Sequence, residues 1–230
     1  MSRSSHSEPA KVAAKKQSAR VAKVAPRAPQ QERSRKRREE IIDAAAELFA
    51  EELFPAVTME SIAKHAGMSI GSVYQFFADK RAVFASVMER SNTRARATFD
   101  ALLQPEDDAF DLALIDWRDA IDLAVDGFVA LQANEPSIRA SNRNLTFLGE
   151  LVEDDEALQR TLSRRTAKLF GVYFPKATPA RRRLVATTVV DLVVTFLVLA
   201  DRRKGAMARA QLAECKKLVK LYVESGLSEG

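Results

Sequence analysis

Apolar side chains recur along this chain at helical spacing, and no stretch alternates with the period of two that a half-buried strand needs. Ile41, Ala45, Leu48 and Phe49 share one face of a first helix, expected over about 32–52 and stopped before Pro55. Met59, Ile62, Ala63 and Ala66 form the stripe of a short second helix, with Thr58 as N-cap and Gly67 as the residue that ends it. Ser69 can cap a third helix, in which Val73 and Phe77 face inward. A helix, a turn containing Gly and a second short helix make the helix-turn-helix pattern. Asp79 then caps a fourth helix with Val83, Phe84, Val87 and Met88 as its stripe, reaching about Leu103 before Pro105.

The remainder also reads as helix. Leu112 to Gln132 carries Leu112, Ile115, Ile121, Val125, Phe128 and Val129 on one face. Pro136 opens another segment, broken near Gly149, and Glu153 to Tyr173 follows. Thr178-Pro179 is an N-cap followed by Pro at the first helical position, opening a helix that ends near Gly205. A last helix is expected over about 206–224. The chain is therefore expected to be all-α with about nine helices. It divides into a tail (1–30), a helix-turn-helix unit (31–80) and a helical body (81–230), with helix 4 (about 79–103) linking the two folded parts. The apolar run Leu184–Ala200 is short for a membrane span, and Asp191 within it would cost about 2.5–3.5 kcal/mol at a bilayer centre. It reads as a helix buried in a core or a dimer interface.

Charge sharpens this division. The 230 residues carry a net +5, yet residues 1–38 hold twelve Lys or Arg against Glu8 and Glu32, a net of +10 that leaves the rest at −5. A basic arm on a mildly acidic body points to a polyanion partner, most often nucleic acid. The first thirty residues lack the apolar run of a secretory signal, and the single cysteine, Cys215, fits a reducing cytosol, so a cytoplasmic location is expected. Two histidines and one cysteine make no zinc cluster, and no motif calls for a cofactor.

Two stretches, residues 38–52 (REEIIDAAAELFAEE) and 58–80 (TMESIAKHAGMSIGSVYQFFADK), resemble the tetracycline-repressor (TetR) family of bacterial transcription regulators. The likeness covers residues 33–90 and rests on the helix 1 pattern with Thr58, Ile62-Ala63, Ala66-Gly67, Ser69, Gly71, Tyr74, Phe77 and Lys80 at fixed offsets. Three positions depart from the family pattern. Leu53 stands where a Gly usually follows helix 1, Ile70 where a polar residue is common, and Phe76 where a His or Tyr is often found. The resemblance implies a dimer reading a palindromic operator, with effectors bound in the body.

A reading helix in a major groove needs a small or polar outer face. Ser69, Ile70, Gly71, Ser72, Tyr74 and Gln75 supply it. Gly71 admits close approach, Gln75 can pair with an adenine edge, and Ser72 and Tyr74 can donate to phosphates. Ile70 either meets thymine methyls or shields the helix cap. The resemblance adds Thr58 and Lys80, at the starts of helices 2 and 4, as phosphate clamps.

The expected function is a ligand-responsive regulator, acting as a repressor and released from double-stranded DNA by a small molecule. The alternative is a helical enzyme or adaptor that uses the helix-turn-helix as scaffold, although no catalytic constellation favours it. Candidate ligand-binding residues are Trp117, Phe128, Phe147, Phe170, Tyr173, Asp191 and Phe196, all of which also suit an ordinary core. The acids around helix 5 read as a solvated face or as a site for a cationic ligand. Ser61-Ile-Ala-Lys64 matches a serine-hydrolase spacing by chance, and His65 reads as an exposed helix residue.

Overall fold

The computed structural model describes residues 29–103, 114–144, 152–203 and 205–228. Among them the chain forms nine α-helices and no strand. These are α1 (Pro29–Glu51), α2 (Met59–His65), α3 (Ile70–Tyr74), α4 (Lys80–Leu103), α5 (Trp117–Asn134), α6 (Pro136–Asn144), α7 (Val152–Tyr173), α8 (Pro179–Arg203) and α9 (Gly205–Leu227). The basic tail and Phe147 lie outside the described residues, except that the last two tail positions, 29 and 30, begin α1.

Side-chain caps set most of the helix starts. Thr58 Oγ1 accepts from the Ser61 amide at 3.1 Å while Ser61 Oγ accepts from the Thr58 amide at 3.0 Å, a reciprocal capping box. Ser61 therefore has a structural task. Asp79 Oδ1 accepts from the Ala82 amide at 2.8 Å, and Thr178 Oγ1 from the Arg181 amide at 3.2 Å. Gly67 has φ +65°, the left-handed conformation that ends α2 and that other residues adopt only with strain.

One start differs from expectation. Helix α5 begins at Trp117, not Leu112, because Asp116 holds an extended backbone and its carboxylate accepts from the Arg118 amide at 2.7 Å. Leu114, just before this start, is 83% exposed.

Helices α1 to α3 and the start of α4 close on one core. Ile41, Ala45, Phe49, Ile62, Val73, Val83, Phe84 and Val87 are each fully buried there, and Phe49 meets Phe84 edge-on at 4.8 Å between ring centres. In the body, a second core joins α5, α7, α8 and α9 around Val185, Val219 and Val223, and a third joins α4 to α8 around Phe99, Leu162 and Val190. Cys215 lies in the second core, where burial pushes its thiol up to about 11.

Two acids of α5 pair with α9: half-buried Asp122 with Lys220 and exposed Asp126 with Lys216, each at 2.6 Å. Helix α8 is long and apolar enough to cross a membrane by length and composition, but it packs along α7 and α9. Asp191, a candidate ligand-binding residue, is exposed in the single chain, because only one side of α8 meets those neighbours and Asp191 lies on the other with Leu184, Thr187 and Thr195.

Candidate nucleic-acid interface and effector cavity

Helix α3 is five residues long and is capped at its N-terminus by Ser69. Ser69 Oγ accepts from the Ser72 amide at 3.2 Å and lies 2.8 Å from Ser72 Oγ. Val73 and Phe77 anchor it in the core, which turns Ser69, Ile70, Gly71, Tyr74 and Gln75 outward as one exposed surface. Ser72 is half-buried at its edge. Ile70 is 37% and Tyr74 51% exposed, so both present side-chain surface on this face. A Cβ added to Gly71 would meet no protein atom within 4 Å, so packing inside the chain does not require Gly there. Thr58 is exposed at the N-terminus of α2.

Lys80 is placed differently from a free phosphate clamp. Its ammonium donates to the Phe54 carbonyl at 2.7 Å and the Val57 carbonyl at 2.5 Å, and lies 4.4 Å from the centre of the Phe54 ring. Burial lowers its pKa from the ordinary lysine value. Asn144, fully buried at the end of α6, grips the same loop from the body. Its Nδ2 donates to the Phe49 carbonyl at 2.8 Å, and its Oδ1 accepts from the Phe54 amide at 2.6 Å. These two side chains tether the segment around Leu53. The Asn144 contact, some ninety residues away in sequence, had no local signal.

Helix α1 carries a run of basic side chains over residues 33–38. Arg33, Arg35, Lys36 and Arg37 are exposed, whereas Arg38 donates to Ser86 Oγ at 2.8 Å and stacks over Phe77. His65 Nε2 lies 2.6 Å from Glu47 Oε2, tying α2 to α1.

The body encloses a cavity of about 100 Å³ between α4, α5, α7, α8 and α9. Trp117, Phe128, Phe170 and Tyr173 line it together with Leu, Ile and Val side chains, and no charged residue does among the described residues. Phe196 does not line it but packs against the second core, and Asp191 faces outward. Such walls offer apolar contact and, among the described residues, no counter-charge for a cation.

Two family models match the chain. One, described as bacterial regulatory proteins of the tetR family, covers residues 41–87, and the other, described as a tetracyclin repressor-like C-terminal domain, covers 116–222. The HTH-type transcriptional repressor KstR2 of Rhodococcus jostii is 30% identical over 129 residues, which are 50% of this chain and 57% of that relative. The chain thus spans little more than half the length of this curated relative. Among solved structures, a TetR-family transcriptional regulator from Streptomyces coelicolor is 24% identical with a TM-score of 0.56, covering 83% of this chain and 99% of that one. A TetR-like transcriptional regulator from Rhodococcus sp. RHA1 is 20% identical with a TM-score of 0.61, covering 84% and 97%. These two likenesses concern the fold.

Proposed function

Because the chain belongs to the tetR family of bacterial regulatory proteins, we propose that it is a repressor that binds a palindromic operator as a homodimer and leaves it when a small apolar molecule enters the body. The observation that carries this reading is the exposed face of α3, capped at one end and anchored beneath by Val73 and Phe77. Its hydroxyls, its open Gly71 backbone and the amide of Gln75 suit base edges and phosphates.

A five-residue helix reads too few base pairs to specify a site alone, so two copies are needed. Helices α8 and α9 supply a surface for pairing: Leu184, Met207, Leu218 and Leu221 are between 48% and 64% exposed. A two-fold arrangement would cover the same patch on both copies. Thr58 acts at the phosphates in this reading. Lys80 contributes by holding the loop before α2, and reaches phosphate only if it gives up its carbonyl partners. The cavity supplies the effector site, and the protein works in the cytoplasm where its operator lies.

The test is selection of bound duplexes from a randomised library by the full-length protein, with sedimentation at micromolar concentration. Enrichment of an inverted repeat by a dimer supports the reading. A monomer, or enrichment of no sequence, overturns it.

A further inference from the structure

Beside the apolar cavity lies a second one of about 70 Å³ with different walls. Phe128, Leu162, Val194 and Leu197 line both, so a single layer of side chains separates them. Among the described residues, the far side of the smaller cavity is polar but uncharged. Ser91 and Asn92 come from α4, Gln132 from α5, Ser141 and Asn142 from α6, and Gln159 from α7. Gln132 is 8% exposed. Its Nε2 donates to the Leu197 carbonyl at 3.3 Å, while its Oε1 is buried without a hydrogen-bond partner. A buried acceptor left unmatched is costly, and a donor brought in by a ligand would remove that cost.

We propose that the two cavities form one effector site for a neutral amphiphile, its apolar body filling the larger and its hydroxyl or N–H group donating to Gln132 Oε1 in the smaller. This rests on the ligand-responsive reading and gives the ligand a chemistry. Among the described residues no charged side chain lines either cavity, so a carboxylate or an ammonium would find no partner there and be heavily penalised. Phe128, present in both walls and half-buried, is the side chain whose rotation would join them. The polar end also lies where a ligand can act on the DNA-binding unit. Its walls include α4, which runs on from that unit, and α6, whose last residue Asn144 grips the end of α1.

The test uses the full-length protein and the fluorescence of Trp117, the single tryptophan, which lines the larger cavity. Straight-chain alcohols from hexanol to decanol are titrated beside alkanes, carboxylates and amines of matched length. The best alcohol is expected to bind at least about tenfold more tightly than its carboxylate and amine. Gln132→Met, which keeps the length of the side chain and removes the acceptor, is expected to weaken the alcohol about tenfold and leave the alkane unchanged. Ala124→Leu, which fills the larger cavity, is expected to weaken both alcohol and alkane, and a melting curve checks that each variant folds. Charged ligands binding as well as the alcohol, an undiminished alcohol affinity in Gln132→Met, or no binding by any alcohol would overturn the proposal. DNA release is measured separately. Gln132-dependent binding that leaves the DNA complex intact defeats the ligand-responsive reading but not the site, whereas release by a compound that does not compete with the alcohol defeats the site and not that reading.

Discussion

The DNA-binding unit and the body are built from the same kind of helix but fill their interiors differently. In the unit, Phe49, Phe84, Val83 and Val87 have no exposed surface, and short polar caps fix where each helix begins. In the body, Phe128, Leu169, Val193 and Val194 stand between helices yet remain only partly covered, because they face a cavity. The first arrangement suits a surface that must present one geometry to a duplex. The second leaves room for a ligand and for a shift of helices around it.

The strongest way to break this comparison is to remove a ring from the packed unit. Phe84→Ala is expected to cost about 3–5 kcal/mol, as other large core truncations do. Chemical denaturation checks it, and a loss below about 1 kcal/mol would show that the unit is as loosely filled as the body.

Adding volume probes the same contrast from the other side. Ala45→Leu enters a fully packed position and is expected to destabilise by about 1–3 kcal/mol. Ala124→Leu adds the same atoms beside the cavity and should cost far less. Equal losses would mean that the cavity closes in solution.

How much of this could be read from the residues depends on the range of each interaction. Thr58, Ser69, Asp79 and Thr178 act on amides three residues away, so their helices start where local pattern places them. Asp116 acts equally locally, but the apolar spacing of Leu112 and Ile115 masked it. The pairing of Asp122 and Asp126 depends on Lys220 and Lys216, at least ninety residues on, and the engagement of Lys80 depends on carbonyls of the α1–α2 loop. Residue type names a possible partner there without locating it. The polar cavity is less legible still, since Ser91, Gln132, Ser141 and Gln159 lie on four different helices.

The outer face of α3 allows a smaller effect to be resolved. Gln75→Ala removes an exposed amide that no core residue needs, so stability should be unchanged. If Gln75 reads a base, the variant loses about 1–3 kcal/mol at one base pair and relaxes the preference there. Competition binding against single-position operator variants measures this, and an unaltered preference at every position would remove Gln75 from base reading.

The smallest effect separates folding from binding at one position. Gly71 lies inside α3, where Gly is less favourable than Ala by up to about 1 kcal/mol, and the space around its Cβ position is empty of protein. Gly71→Ala should therefore raise the melting temperature slightly, by about 2–4 °C for each kcal/mol gained. Yet it places a methyl group on the surface assigned to DNA, where it would hold the backbone away from the groove and weaken binding to every sequence. A stabilised variant with weakened binding is the expected pair of results, measured by calorimetry and by operator titration. If affinity is unchanged, the open space at Gly71 faces solvent in the complex, and α3 must approach the duplex through Tyr74 and Gln75 instead.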